Sequence, residues 1–364
     1  MGTDIRFTVA RDPREWAALV AGSDAATGFH DHSWLQMQSD LYGWSFTPLI
    51  VWHGADPVGV FPVLLQRGLL RRPASLPFPF VGPLVPDELL IRTVRAFRWW
   101  QVRHVVPISR FDLGPGIGVA ADRLTRGGIE SSPERTYIVD LRGATPESLL
   151  AGTKRGARQA LRAADRNAVE VRRAIPGEVA TLLPRVLSES YSSRGVPSPY
   201  PEEIGERIER WAAGRDDVYA ATAVVAGVPA GVIVALAGQP VVTGWAGGTL
   251  RAHRHANPST VLYHHLLRWS LDRGHTAVDL VGHVDEGIAR FKMSLGATET
   301  PYTNVVSSPL PRVARTAALS VLGASTRLLP SRGSATRTPP ARAVAGGVRM
   351  HRGDPESVSS SQQL

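Results

Sequence analysis

The alternation of apolar and polar positions is clearest between about residues 145 and 306, where helical and extended periods follow one another. A helix is predicted to begin at Thr145-Pro146-Glu147, because these residues supply a cap, a preset first turn and an acid at the positive helix end. It is expected to run to about Arg166. The elements predicted after it are a strand at 167–174, helices at 176–194 and 201–213, strands at 218–225, 230–237 and 241–248, a helix from 257 to 272, a strand at 276–281, a helix at 285–295 and a strand at 299–306.

The first part of the chain carries a thinner version of the same order. The predicted elements are a strand near Ile5, helices near Asp12 and Ser33, a hairpin over 46–65, a helix over 88–103 and a strand over 105–113. The hairpin segments 53–60 and 226–232 resemble each other, and each has a proline before a small residue. An internal duplication is the economical explanation. The predicted fold class is α/β with mixed (α+β) sheets in two tandem units, the first of them reduced.

One uncharged stretch, 224–250, is long enough to raise the alternative of a membrane span. Glycine and proline punctuate it at turn-like spacing, which favours short buried strands, and no transmembrane span is expected. The first ten residues contain Asp4 and Arg6 and no apolar run, so they do not resemble a secretory signal. A cytoplasmic location and a monomeric state are expected.

Composition divides the chain further. At 364 residues it exceeds the size at which one hydrophobic core keeps growing, so two packed units are expected. Much of the net charge of +9 lies in residues 312–364, which hold eight Arg and only two acids. The predicted units are an N-terminal domain at 1–141, a C-terminal domain at 142–311 and a basic, disordered tail at 312–364. A solvated tail is the favoured interpretation; weak contact of 312–329 with an anionic membrane surface is the alternative.

Residue usage also excludes some chemistry. The absence of cysteine rules out thiolate nucleophiles and Cys-based zinc sites, and no metal site or tightly bound cofactor is expected. Among the basic residues only Lys154 and Lys292 are lysines. On a helix, Lys292 falls at the edge of an apolar stripe formed by Ile288, Phe291 and Leu295, so its ammonium points toward the body of the protein. It either extends to water or is held in a cleft with a shifted pKa.

A basic helix offers a second candidate surface. Arg155, Arg158, Arg162 and Arg166 lie within about 80° of one another on a helical wheel. Four like charges on one stripe repel each other unless an anion lies across them. Phosphate binding and ion pairing with acids of the other domain are both open.

The order of several short motifs resembles the doubled GNAT acyltransferase fold of Fem-type peptidyltransferases and of the BioF2-like acyltransferase domain. The resemblance covers about residues 30–300. It is carried by Lys154-Arg155-Gly-Ala-Arg158, Pro229-Ala-Gly231, Gly244-Trp245-Ala-Gly247, Asn257-Pro258-Ser259, Asp279 and Phe291-Lys292-Met-Ser-Leu-Gly296.

The resemblance implies an N-acyltransferase whose donor carbonyl lies where two parallel strands separate. Lys292 would face the developing oxyanion, and a proton acceptor would come from Asp279, His283 or Asp285. Lys154 and Arg155 would hold phosphates of a small-molecule or nucleotide-linked amine acceptor. The substrate-binding candidates are Lys154, Arg155, Arg158, Arg162, Trp245, Gly247, Gly248, Arg251, Arg254 and Phe291.

One departure from the family concerns the donor. Acyl-coenzyme A users carry a glycine-rich turn that cradles the pyrophosphate, whereas here Arg254 replaces the middle glycine and Pro258 removes an N–H donor. Arg251 and Arg254 suit a tRNA acceptor end, so an aminoacyl-tRNA donor is favoured and acyl-coenzyme A is the alternative. A long helical arm, common in the peptidoglycan-bridge enzymes, has no counterpart. From another class, a non-catalytic binder of a phosphorylated ligand stays open.

Overall fold

The computed structural model describes residues 4–67, 78–118, 121–282 and 286–311. The predicted tail, together with His283 and Asp285, lies outside the described residues. The elements of the first part are β1 (Ile5–Val9), α1 (Pro13–Ala21), a 3-10 helix (Gly28–His30), α2 (His32–Tyr42), β2 (Trp44–His53), β3 (Asp56–Gln66), α3 (Asp87–Arg103), β4 (Ser109–Leu113), α4 (Ala121–Arg126) and β5 (Glu130–Asp140).

The second part follows the predicted order closely. Its elements are α5 (Pro146–Gly152), α6 (Arg155–Arg166), β6 (Val169–Arg173), α7 (Glu178–Ser192), α8 (Ile204–Ala212), β7 (Val218–Val225), β8 (Val228–Ala237), β9 (Val241–Thr249), a 3-10 helix (Arg251–Ala256), α9 (Pro258–Asp272), β10 (Ala277–Asp279), α10 (Glu286–Ser294) and β11 (Thr298–Ser307).

The single helix predicted from Thr145 to Arg166 is wrong in one respect, because it is divided into α5 and α6. Thr145 caps α5 by accepting a hydrogen bond from Ser148 N. At the other end Thr153 is extended, with φ −70° and ψ 133°, and its hydroxyl donates to Leu149 O at 3.1 Å. Thr153 and the next residue, Lys154 (φ −64°, ψ 155°), are both extended, so α5 ends there and α6 begins as a separate helix.

The uncharged stretch 224–250 forms β-strands, as its turn residues predict. Within the described ranges, no helix is long and apolar enough to cross a membrane.

Two sheets organise the molecule. β1, β2 and β3 form an antiparallel sheet, and the other strands form an eight-stranded sheet in the order β4-β11-β5-β10-β9-β8-β7-β6. In the larger sheet β10 runs parallel to β9, and the remaining pairs are antiparallel. β4 and β5 come from the range predicted as the N-terminal domain, and β5 lies between β10 and β11. The larger sheet is therefore built from both predicted domains.

The two similar hairpins share a structural irregularity. Val51 pairs with Gly59 and Trp52 with Pro57, so one residue bulges between the proline and the glycine. The second hairpin has the same bulge, since Ala223 pairs with Gly231 and Val224 with Pro229. A bulge at the same place in each proline-x-glycine step supports the predicted duplication.

Side chains of β8 alternate between two cores, one on each face of the larger sheet. Val232 and Val234 enter a core with α7, α8, α1 and α2, which joins both parts of the chain. Ile233 and Ala235 enter a core under α6, α9 and α10. Burial of each large apolar side chain contributes about 1.5–3 kcal/mol, and the period of two fixes which face each covers.

Candidate active site

The parallel strands β9 and β10 separate after three residue pairs. Ala277–Asp279 pair with Val241–Thr243. The three residues that follow, up to Gly282, form no further backbone pairs with β9. β9 continues along β8, with Trp245 bulged because Val234 pairs with Ala246 and Ala235 with Gly244. The backbone of β9 after Thr243 therefore borders an opening between the two strands.

Lys292 lies beside the end of β10. Its side chain is only 5% exposed. The ammonium donates hydrogen bonds to Val281 O and, at 2.5 Å, to Gly282 O, and it lies 5.6 Å from the centroid of the Tyr137 ring. Val281 and Gly282 both have positive φ, which turns the chain after β10 and aims these carbonyls at the ammonium. Lys292 is thus held inside the fold and does not extend to solvent.

Asp279 ends β10 and is fully buried. Burial raises the pKa of its carboxyl to about 6, although hydrogen bonds from Thr136 and Val281 and the nearby charge of Lys292 act to lower the pKa. The Thr136 hydroxyl and, at 2.8 Å, Val281 N both donate to Oδ1. A carboxylate with a pKa near 6 can exchange a proton close to neutral pH.

The sequence analysis missed the contribution of β5 to this site. Thr136 and Tyr137 both lie on β5, a strand that was not predicted. The run Thr136-Tyr137-Ile138-Val139 has the β-branched and aromatic residues of a strand, and this signal could have located it.

The glycines of β9 have different surroundings. A Cβ placed on Gly244 would lie 3.3 Å from Asp279 O and 3.7 Å from Leu280 Cα, so Gly244 packs closely against the end of β10. A Cβ on Gly247 would lie 2.6 Å from Val232 O, and one on Gly248 would lie 3.5 Å from the Val186 Cβ. Position 247 therefore requires glycine, because the backbone there approaches β8 too closely for a side chain. Contact of Gly247 and Gly248 with substrate stays a prediction.

Trp245 lies where the two parts of the chain meet. Its ring centroid is 5.0 Å from that of Trp34 and 5.9 Å from that of Tyr200. Four buried polar atoms at this junction have no hydrogen-bond partner within the described chain: Trp34 Nε1, Gln38 Oε1, Tyr42 OH and Trp245 Nε1. We call these four residues the polar seam.

Three residues of the polar seam, Trp34, Gln38 and Tyr42, lie four residues apart on α2 and so share one face of that helix. Each unpaired buried group costs about 1–3 kcal/mol, and such groups are few in native proteins. Trp34 brings this face of α2 against Trp245 at the β9 bulge, so the unpaired groups mark a candidate ligand site. The sequence analysis predicted a helix near Ser33, which is α2, but it missed the four-residue spacing of these polar groups.

Phe291 packs against other apolar side chains. Its ring meets that of Tyr263 edge to face with centroids 5.3 Å apart, and it lies against the core under α9. Substrate contact by Phe291 stays a prediction.

The basic residues of α6 and its N-cap fall into two groups, one bonded to the backbone and one exposed. Arg158 is half-buried and donates to Ala151 O at 3.1 Å and to Thr153 O, so it holds the end of α5. Lys154, Arg155, Arg162 and Arg166 are exposed, and none forms an ion pair with an acid in the described ranges. Ion pairing between domains is therefore not observed for them.

The segment expected to bind donor phosphates is the 3-10 helix Arg251–Ala256. Arg251 and Arg254 are exposed, and Arg251 N donates to Glu189 Oε2 at 2.7 Å. Asn257 then adopts a left-handed conformation before Pro258 begins α9. The described residues contain no cluster of His, Asp or Glu that could hold a metal ion.

Comparison with known proteins bears on the fold. Residues 151–293 match the family model of the acetyltransferase (GNAT) domain. None of the curated proteins matches this sequence. Similar solved structures include FemX, with a TM-score of 0.65, 11% identity and coverage of 87% of this chain and 99% of that chain.

Two further structures share the fold. One is the C-terminal domain (DUF2156) of a putative lysylphosphatidylglycerol synthetase from Agrobacterium fabrum, with a TM-score of 0.54, 12% identity and coverage of 85% and 95%. The other is a tandem GNAT protein from the clavulanic acid biosynthesis pathway, with a TM-score of 0.50, 17% identity and coverage of 84% and 99%. The predicted tandem GNAT fold and the resemblance to Fem-type proteins are confirmed.

Proposed function

Since the chain carries a GNAT-type acyltransferase domain within a tandem GNAT fold, we propose that it transfers an aminoacyl group from aminoacyl-tRNA to an amine acceptor. The reaction would take place in the opening between β9 and β10. A charged tRNA as donor would place the reaction in the cytoplasm.

The position of Lys292 is the observation that carries this proposal. Its buried ammonium is fixed by two backbone carbonyls at the end of β10, where the strands separate. When an amine attacks the donor ester, the carbonyl oxygen becomes an oxyanion, and a preorganised cation stabilises that charge more than it stabilises the ground state.

Asp279 supplies the proton acceptor in this scheme. Both of its hydrogen bonds end on Oδ1, which leaves Oδ2 to take the proton from the attacking nitrogen. The new C–N bond forms, the ester C–O bond breaks, and the proton passes to the ribose oxygen that leaves. Lys292 lies near Asp279, so its charge keeps a larger share of the carboxyl ionised and ready to accept the proton.

The donor assignment is supported by exposed arginines. Arg251 and Arg254 occupy a 3-10 helix in place of a glycine-rich turn, and Arg155, Arg162 and Arg166 form an exposed stripe on α6. Several separate phosphate-binding groups suit a polynucleotide better than one pyrophosphate. Acyl-coenzyme A is the second candidate, because the matching family model describes an acetyltransferase domain.

Binding measurements separate the two donors. The purified full chain is mixed with tRNA charged with a labelled amino acid, with uncharged tRNA and with acetyl-coenzyme A, and retained label is measured over a salt series. We expect charged tRNA to bind, with a salt dependence that weakens when Arg162→Ala and Arg166→Ala are combined. Arg126→Ala is the matched control, since Arg126 is also exposed but pairs with Asp122. Retention of acetyl-coenzyme A alone would show that the donor assignment is wrong.

Transfer itself is followed as loss of label from the tRNA in the presence of a panel of amines. If Lys292→Met keeps full activity in the cell while Arg162→Ala with Arg166→Ala abolishes it, the chain is a binding protein without catalysis.

A further inference from the structure

Thr243 has a buried hydroxyl without a hydrogen-bond partner at the edge of the opening between β9 and β10. Its side chain is fully buried, and Oγ1 bonds to no donor or acceptor in the part of the chain that the structure describes. A threonine hydroxyl both donates and accepts and can rotate, so it normally finds a partner when it is buried. Thr243 is also the last residue of β9 that pairs with β10. The unpaired group therefore lies where the two strands separate.

Thr243 and Asp279 lie side by side on one face of the larger sheet. They are directly paired in the parallel ladder, and the residues before them, Val242 and Val278, both enter the core under α6, α9 and α10. Because side chains alternate along a strand, Thr243 and Asp279 both point to the opposite face. Neighbouring strands are about 4.8 Å apart, so the two side chains are close to each other without being bonded.

Together the two side chains offer a pair of hydrogen-bond acceptors. The hydrogen bonds from Thr136 and from Val281 N both end on Oδ1 of Asp279, which leaves Oδ2, and Thr243 Oγ1 adds a second acceptor. A neutral primary amine has two N–H groups and one lone pair. It can donate one N–H to each oxygen while its lone pair stays free to attack a carbonyl. A secondary amine has only one N–H and leaves one of the two oxygens without a partner.

We propose that Thr243 and Asp279 bind the nitrogen of the acceptor and make the site selective for primary over secondary amines. Given the proposed acyl transfer, on which this assignment rests, the acceptor class is a primary amine. The nitrogen attacks the carbonyl, the new C–N bond forms and the C–O bond to the ribose breaks. Asp279 Oδ2 takes one proton and passes it to the leaving oxygen, and the N–H of the amide product stays bonded to Thr243 Oγ1.

Unpaired groups continue from Thr243 along β9. Trp245 lies two residues further on and packs into the core on the same face, and its Nε1 and that of Trp34 have no partner within the described ranges. The two rings are 5.0 Å apart. Two residues of a strand span about 6.6 Å, so one bound water at Thr243 would leave the indole groups unsatisfied. A ligand with its nitrogen at Thr243 and its stem beside Trp245 reaches the whole row, which favours an amine over a water.

Transfer to matched amines tests the selectivity. Wild type, Thr243→Val and Thr243→Ser receive tRNA charged with a labelled amino acid and one of n-butylamine, sec-butylamine or N-methylbutylamine, and kcat/KM is measured for each amine. We expect wild type to prefer both primary amines to N-methylbutylamine by about tenfold. Thr243→Val should lose about tenfold with the primary amines alone, and Thr243→Ser should keep the wild-type preference. sec-Butylamine carries its extra methyl on carbon, so it separates bulk from the number of N–H groups.

Thr93→Val is the matched control for loss of a buried hydroxyl. Thr93 Oγ1 is also buried without a partner in the described chain, but Thr93 lies on α3, away from the opening. This variant should keep the wild-type preference for primary amines. Thr243→Val itself keeps the shape of the side chain and removes an unpaired hydroxyl, so its Tm should not fall.

Thermal unfolding measures binding of the nitrogen without any donor. n-Butylammonium chloride should raise the Tm of wild type and of Thr243→Ser but not that of Thr243→Val, because only the hydroxyl variants can accept the second N–H. Tetramethylammonium chloride has no N–H and should raise none of the three.

Two results would overturn the assignment of Thr243. One is an equal loss of rate with n-butylamine and N-methylbutylamine in Thr243→Val, which would mean that the hydroxyl acts through a water or through the position of Asp279. The other is transfer to amines in which neither the preference nor the rise in Tm depends on Thr243, and acyl transfer itself would then still hold. If no amine is acylated but the rise in Tm depends on Thr243, the acyl-transfer proposal fails and the nitrogen site is retained.

Discussion

Replacing Tyr42 by phenylalanine tests whether the polar seam is an unfilled binding site. The Tyr42 hydroxyl is buried without a hydrogen-bond partner in the described chain. Its ring stacks on Trp44 with centroids 4.3 Å apart, and phenylalanine keeps that contact. Removing the hydroxyl removes a desolvation cost of about 1–3 kcal/mol, so Tyr42→Phe should stabilise the fold by on the order of 1 kcal/mol.

Tyr219 is the matched control. Its hydroxyl is also buried, but it shares a 2.6 Å hydrogen bond with His265 Nδ1. Tyr219→Phe loses that bond and leaves His265 Nδ1 without this hydrogen-bond partner, so it should destabilise the fold by about 1–2 kcal/mol. Burial raises the pKa of both phenols, so both are neutral at ordinary pH and ionisation does not affect the comparison.

Urea unfolding followed by circular dichroism measures both variants, and thermal unfolding gives a second readout. One kcal/mol corresponds to a shift in Tm of about 2 °C for a protein of this size. The reasoning fails if Tyr42→Phe destabilises the fold as much as Tyr219→Phe does, because the Tyr42 hydroxyl would then have a partner. A ligand that fills the polar seam should lose affinity for Tyr42→Phe while the variant stays more stable.

Further predictions concern the opening and the chain end. Lys292→Met should lower kcat for aminoacyl transfer about 100-fold at a temperature where the variant is folded, and a wild-type rate would contradict the proposed role of the ammonium. The buried carboxyl of Asp279 binds its proton more tightly in the folded protein than in the unfolded one, so stability should fall as pH rises from about 4 to about 6, by on the order of 3 kcal/mol. Asp279→Asn should flatten this part of the profile in urea unfolding, and an unchanged profile would show that another group titrates. Truncation after Pro311 should leave Tm within about 2 °C, because the last core residue among those that the structure describes is Val305, and a much larger fall in Tm would place later residues in the core.

Periodicity made most of the second part predictable. The strands at Val218–Val225, Val228–Ala237 and Val241–Thr249 lie within two residues of their predicted bounds, because each is buried on at least one face and ends at a glycine or proline turn. The apolar stripe beside Lys292 predicted that its ammonium points toward the body of the protein, but it left open whether the ammonium reaches water or is held in a cleft. The structure has it buried.

The strand β5 was not predictable in the same way. Its first half is polar and includes Pro133, and only residues from Thr136 onward are largely buried. It is held mainly by backbone pairing with β11 from Thr298 to Val306, which leaves little trace in side-chain pattern. The polar seam was not predicted for another reason. Its residues come from α2 and β9, which are distant in sequence and meet only in the folded protein.

The insertion of β5 between β10 and β11 has a consequence for how such a chain can evolve. A unit cut out as residues 142–311 would lack both β4 and β5, so β11 would have no neighbouring strand and β10 would have one unpaired edge. Unpaired strand edges can pair with other molecules. The segment 151–293 that matches the family model lacks these strands as well. Because strands from both parts of the chain form the larger sheet, loss of either part in evolution would remove strands from that sheet.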